Sequence, residues 1–98
     1  MTNSFTIKAS HPSLKGHFPN NPVVPGVIIL DEVIQIIKNI KPGFIIKKLP
    51  IVKFIHPLLP EQEVHVEIIE KSDTSLSFSC THDGIKLTSG QLTLEPLS

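Results

Sequence analysis

Residues 26–40 read GVIILDEVIQIIKNI, almost continuously apolar yet interrupted by an acid at Asp31. On a helical wheel of about 100° per residue, Lys38, Asp31, Gln35, Asn39 and Glu32 share one sector about 120° wide. Val33, Ile34, Ile36, Ile37, Ile40, Ile29 and Leu30 occupy the other two thirds. A surface helix carries a narrower apolar stripe than this, so the rest of the chain must wrap this one. Pro25 suits the first position of the helix, and "KPG" at 41–43 stops it near Asn39 or Ile40. Ile29, Leu30, Val33 and Ile37 are the residues expected to be buried.

The remaining sequence supplies the wrapper. "SFTIKAS" (4–10) alternates as a short first strand, and "FIIKK" (44–48) and "IVKFI" (51–55) are β-branched and aromatic. "VHVEIIE" places Val64, Val66 and Ile68 on one face, and "LSFSCTH" does the same for Leu76, Phe78 and Cys80. Asp83–Gly84 is a hairpin signal, and "IKLTSGQLTL" then returns with Gly90 as a plausible bulge. One buried helix followed by antiparallel strands is an α+β arrangement, with the sheet curled around the helix.

A chain of 98 residues has room for one small domain, taken as 1–98, and a core of that size favours association with a second copy. The longest apolar stretch, "VVPGVIIL", is broken by Pro25 and Gly26, so no transmembrane helix is expected. The first ten residues lack the features of a signal peptide, and the lone cysteine excludes an internal disulfide. A cytoplasmic location is expected. Every basic residue is lysine; residues 1–53 hold seven lysines against two acids, and residues 54–98 hold two against seven, so halves of +5 and −5 cancel. A basic face would attract an acidic partner, whereas charges that mix on folding form an ordinary solvated surface. Without arginine or aromatic-basic interleaving, nucleic-acid binding is not expected.

Three polar side chains stand out: His17 in a proline-rich loop, Asp31 on the second turn of the helix, and Gln35 one turn further on the same face. The backbone N–H groups of Gly26 and Val27 begin the helix, have no intrahelical partner and can hold an oxyanion. Gly26 also lets a ligand approach the backbone. An acid among apolar side chains is disfavoured as a carboxylate and suits proton donation, while a histidine serves as a base. A base, an acid and an oxyanion site suit proton abstraction beside a carbonyl with departure of a hydroxyl. Taken singly, His17 also reads as a capped loop histidine and Asp31 as an acid near a helix N-terminus. His11, His56, His65 and His82 lack metal-ligand spacing, and no metal is expected. His56, before Pro57 at a strand end, reads as structural or as lining a tunnel mouth.

The stretch "GHFPNNPVVPGVIILDEVIQ" (16–35) resembles the signature of the hot-dog-fold 3-hydroxyacyl-[acyl-carrier-protein] dehydratases. In that family a "GHFPG.P..PG" loop with the catalytic histidine precedes a central helix carrying an acid and then a glutamine. The resemblance implies His17 as base, Asp31 as acid, and Gly26 as the N–H donor to the thioester carbonyl, with Val27 beside it. It further implies that the Val23 carbonyl orients the histidine and that Gln35 is the helix glutamine. "KLPIVKFIHPLLPEQEVHVEIIE" is similar to the family's strand, "P..PG" turn and strand.

Asn20 stands where the loop usually has glycine, and asparagine tolerates positive φ. The N-terminal segment of the fatty-acid enzymes is expected to be missing, which resembles the short stand-alone forms of aryl-polyene and polyketide-like pathways. An aspartate on the helix is similar to the branch that also isomerises the double bond. The implied protein is a homodimer or higher oligomer acting on substrates carried by the phosphopantetheine of an acyl carrier protein, with no further cofactor. The rivals are a hot-dog thioesterase, in which Asp31 activates water, and a non-catalytic acyl-binding protein.

Overall fold

Helix α1 (Gly26–Ile40) buries Ile29, Val33 and Ile37 against one face of an antiparallel five-stranded sheet in the computed structural model, which describes residues 2–10 and 23–97. The strands are β1 (Thr2–Thr6), β2 (Phe44–Phe54), β3 (Glu63–Ser72), β4 (Ser75–His82) and β5 (Ile85–Pro96), in the spatial order β1-β3-β4-β5-β2. Period-two alternation sends Val64, Val66 and Ile68, then Leu76, Phe78 and Cys80, then Leu92 and Leu94 to the helix side, all buried. The expected helix bounds and the burial of Ile29, Val33 and Ile37 hold. Leu30 is only half-buried, because the sheet covers a narrower stripe of α1 than its apolar arc offers.

Asp83 and Gly84 make the β4–β5 hairpin with φ of 52° and 79°, the two left-handed residues of a tight turn. "FIIKK" and "IVKFI" join into the single edge strand β2, whose register against β5 slips between Lys48 and Ile51, next to a proline with no N–H to give the ladder. Gly90 is not a bulge: it pairs regularly with Phe78 and with Val52. It is glycine because an added Cβ would lie 2.7 Å from the Ile51 carbonyl oxygen and 2.8 Å from the Phe78 ring. The extra residue in β5 is Leu87, skipped between the Cys80–Thr88 and Thr81–Lys86 pairs.

β1 is shorter and earlier than its alternation suggests. It pairs with β3 from Thr2–Glu67 to Thr6–Glu63, and the chain then turns to the segment before β3. There the Glu61 N–H donates to the Ile7 carbonyl at 2.8 Å, and the Ala9 N–H donates to Glu61 Oε2 at 2.6 Å. Glu61 has φ 68°, a left-handed conformation uncommon for a side chain of this kind. Lys41 lies 3.8 Å from Glu70, one contact between the basic and acidic halves of the chain. No described helix is long and apolar enough to cross a membrane.

Two buried polar groups give tests of this core. Burial pushes the Cys80 thiol up to about 12, so the native protein should resist a thiol reagent at pH 8 and react fully once unfolded. Fast labelling under native conditions would contradict the placement. The Thr88 hydroxyl is fully buried and has no hydrogen-bond partner among the described residues. Thr88→Val removes that desolvated group and should raise stability by about 1 kcal/mol, read as a higher urea midpoint with an unchanged slope.

Candidate active site

Pro25 is the N-cap of α1, with φ −59° and ψ 142°, one residue earlier than the first-position role expected for it. Its carbonyl accepts the Ile28 N–H at 3.0 Å. Gly26 and Val27 therefore form the first turn, and their N–H groups have no backbone partner among the described residues. The segment leading in is fixed from the other side, where the Val24 N–H donates to the Leu58 carbonyl at 2.8 Å.

Opposite the helix start lies the end of β2 and the residues after it. The Ile55 and His56 N–H groups both donate to the Leu87 carbonyl, at 2.7 and 3.2 Å. Leu87 is the bulged residue of β5, so the irregularity turns one carbonyl outward to hold two consecutive amides. Between the two walls is a pocket of about 420 Å3 lined by Gly26, Val27, Phe54, Ile55, His56 and Leu58, among others. It is mostly apolar, with N–H groups at one wall that have no backbone partner among the described residues, which suits an acyl thioester whose oxygen develops charge.

The structure revises the role of Gly26 in part. A Cβ at this position would lie 2.6 Å from Cε1 of Phe54, so the missing side chain makes room for the protein's own aromatic ring. The backbone amide remains where the sequence places it. Phe54, Ile55 and His56 complete the pocket, and only the histidine before Pro57 hinted at this from sequence.

Asp31 and Gln35 are exposed on the outer face of α1. Neither lines the pocket at Gly26: five residues along an α-helix move Asp31 about 7.5 Å and turn it about 140° from Gly26. The burial expected around Asp31 is not found among the described residues. His17 lies outside the described residues. Val23 is half-buried immediately before the Val24–Leu58 bond, so its backbone position is anchored.

One helix against a curled antiparallel sheet, with a pocket at the helix N-terminus, defines an α+β hot-dog fold. A family model for ApeI-like proteins, described as ApeI dehydratase, matches residues 1–91, and the chain belongs to that family. It is similar to the 3-hydroxyacyl-[acyl-carrier-protein] dehydratase FabZ of Haemophilus influenzae, 28% identical over 100 residues, covering 91% of this chain and 65% of the relative. The protein of the same name from Actinobacillus succinogenes is 32% identical over 83 residues, covering 74% of this chain and 55% of the relative. The chain thus spans only part of the length of the curated relatives it matches. Among solved structures, the dehydratase heterocomplex ApeI:P from Xenorhabdus doucetiae superposes with a TM-score of 0.84 at 25% identity, covering 95% of this chain and 84% of that one.

Gly26→Ala forces the Phe54 ring to move while leaving the helix intact. Because that ring is 55% exposed and free to swing outward, the expected cost in stability is small, about 1 kcal/mol or less. The expected effect on the pocket is larger, seen as displaced Phe54 ring resonances and weaker binding of an acyl thioester. Unchanged Phe54 resonances would contradict the contact.

Proposed function

We propose that this protein removes water from a 3-hydroxyacyl thioester carried on the phosphopantetheine of an acyl carrier protein, giving the trans-2-enoyl thioester in fatty acid or aryl-polyene-type biosynthesis. One observation carries the reading: in a chain of the ApeI-like dehydratase family, an apolar pocket lies at the start of α1, whose first N–H groups have no backbone partner among the described residues. His17 takes the proton from C2, and the Gly26 and Val27 N–H groups hold the thioester oxygen as it gains enolate character. Asp31 gives a proton to the 3-hydroxyl, the C3–O bond breaks, the C2–C3 double bond forms and water leaves. Val23 orients His17 through its carbonyl, and Gln35 supports the helix end of the site. Protons move and no electrons are passed to an acceptor, so the reaction asks for no cofactor beyond the carrier's arm.

The working unit is a dimer in which residues 1–98 of each copy form one domain, acting in the cytoplasm. Asp31 faces away from the pocket of its own chain, which supports its serving the pocket of a second copy. Val27, Phe54 and Ile55, each more than half exposed at the pocket mouth, are apolar surface that a second subunit would cover.

The test is mass spectrometry of a 3-hydroxyacyl carrier protein incubated with the enzyme, where loss of water is expected and release of a free thiol would favour hydrolysis instead. His17→Ala should abolish turnover. Asp31→Asn should slow it by about 10²–10⁴ while substrate binding changes far less. Mixing the two inactive variants and allowing subunits to exchange should restore about a quarter of the wild-type rate, because half the dimers then carry one intact site. No recovery in a mixture shown to exchange would place His17 and Asp31 of a site on the same chain.

A further inference from the structure

Among the described residues that line the pocket at the start of α1, His56 alone has an ionisable side chain. Its ring is fixed by a contact of 2.8 Å between Nδ1 and the Pro57 carbonyl oxygen. A carbonyl only accepts, so Nδ1 carries the hydrogen, and Nε2 is the ring nitrogen left to accept. The backbone beneath it is held as firmly, by the two amides that share the Leu87 carbonyl. An imidazole with Nδ1 occupied and its backbone clamped is a preorganised acceptor in a pocket otherwise short of polar side chains.

We infer that His56 is a positioning residue, whose Nε2 accepts a hydrogen bond from the first amide N–H of the substrate's thioester arm. The inference rests on the dehydratase reading for the nature of that arm. The thioester group has no hydrogen to donate, and the nearest donor on the arm side is the amide two carbons beyond the sulfur. With the thioester oxygen on the Gly26 and Val27 amides, the arm leaves through the pocket mouth, where Ile55 and His56 are exposed. The 3-hydroxyl lies on the opposite side of the carbonyl and belongs to Asp31. Substrates with an amide at this distance are therefore preferred over equally long apolar thioesters.

The experiment compares two thioesters of one 3-hydroxyacyl group: the N-acetylcysteamine thioester, which carries the amide, and an S-alkyl thioester of equal length, which does not. His56→Leu should raise KM for the first about tenfold, the worth of one hydrogen bond, with kcat nearly unchanged and KM for the second unaffected. His56→Gln returns an acceptor and should recover most of the loss. Equal effects of His56→Leu on both thioesters, or a fall in kcat alone, would overturn the inference. Binding of the unreactive acyl-N-acetylcysteamine and S-alkyl thioesters without the 3-hydroxyl, measured by calorimetry, separates this inference from the catalytic reading. Preference for the amide ligand in wild type, lost in His56→Leu, supports the role of His56 even if no substrate is dehydrated. Should the Leu variant not fold, absence of that preference in wild type overturns the inference by itself.

Discussion

Helix α1 meets the sheet through Ile29, Val33 and Ile37, and every other feature of the molecule is arranged around that contact. Each of these side chains is almost completely removed from water and contributes on the order of 1.5–3 kcal/mol. They sit opposite an unbroken inner face built by β3, β4 and β5. The flanks of the helix are less well served, since Leu30, Ile34 and Ile36 are only half-buried and Val27 is 62% exposed. A helix apolar over two thirds of its circumference is thus incompletely wrapped by one sheet. The most exposed of these apolar side chains, Val27, stands at the pocket.

The pocket is a consequence of register. Because β5 carries one extra residue at Leu87, its carbonyl leaves the ladder and collects the amides of Ile55 and His56. That pair of bonds sets the chain after β2 at a defined height above the sheet, and the Val24–Leu58 bond then attaches the helix start to the same segment. Pulling out any one of these contacts would loosen both walls of the pocket together. The site is therefore built on the rigid part of the fold, where position is set by backbone hydrogen bonds rather than by long side chains.

Two glycines show a shared use of absent side chains. At Gly26 the vacated volume is filled by Phe54, and at Gly90 by Phe78, each within about 3 Å of where a Cβ would stand. One ring forms a pocket wall and the other fills the core beneath β5. Glu61 shows the opposite case: a left-handed residue that is not glycine, whose carboxylate is tied to the Ala9 amide. The turn before β3 accepts the backbone cost of this residue and gains a connection to the end of β1.

Much of the architecture was legible in the sequence because local periodicity reports which face a residue presents. The bounds of α1, the inward rows at Val64–Ile68 and Leu76–Cys80, and the Asp83–Gly84 turn all depend on spacing and on intrinsic backbone preference, which act within a few residues. The motif at 16–35 singles out His17, Gly26 and Asp31 as candidates, and of these the described residues bring only Gly26 to the pocket. What sequence did not contain was the bulge at Leu87, the packing of Phe54 on Gly26, the clamping of His56 and the turning of Asp31 away from the pocket of its own chain. Those arise from contacts between residues far apart in the chain, whose geometry is settled only when strand registers and the angle of the helix are settled together. Local preference selects the elements, and the closure of the sheet on the helix decides which of their side chains meet.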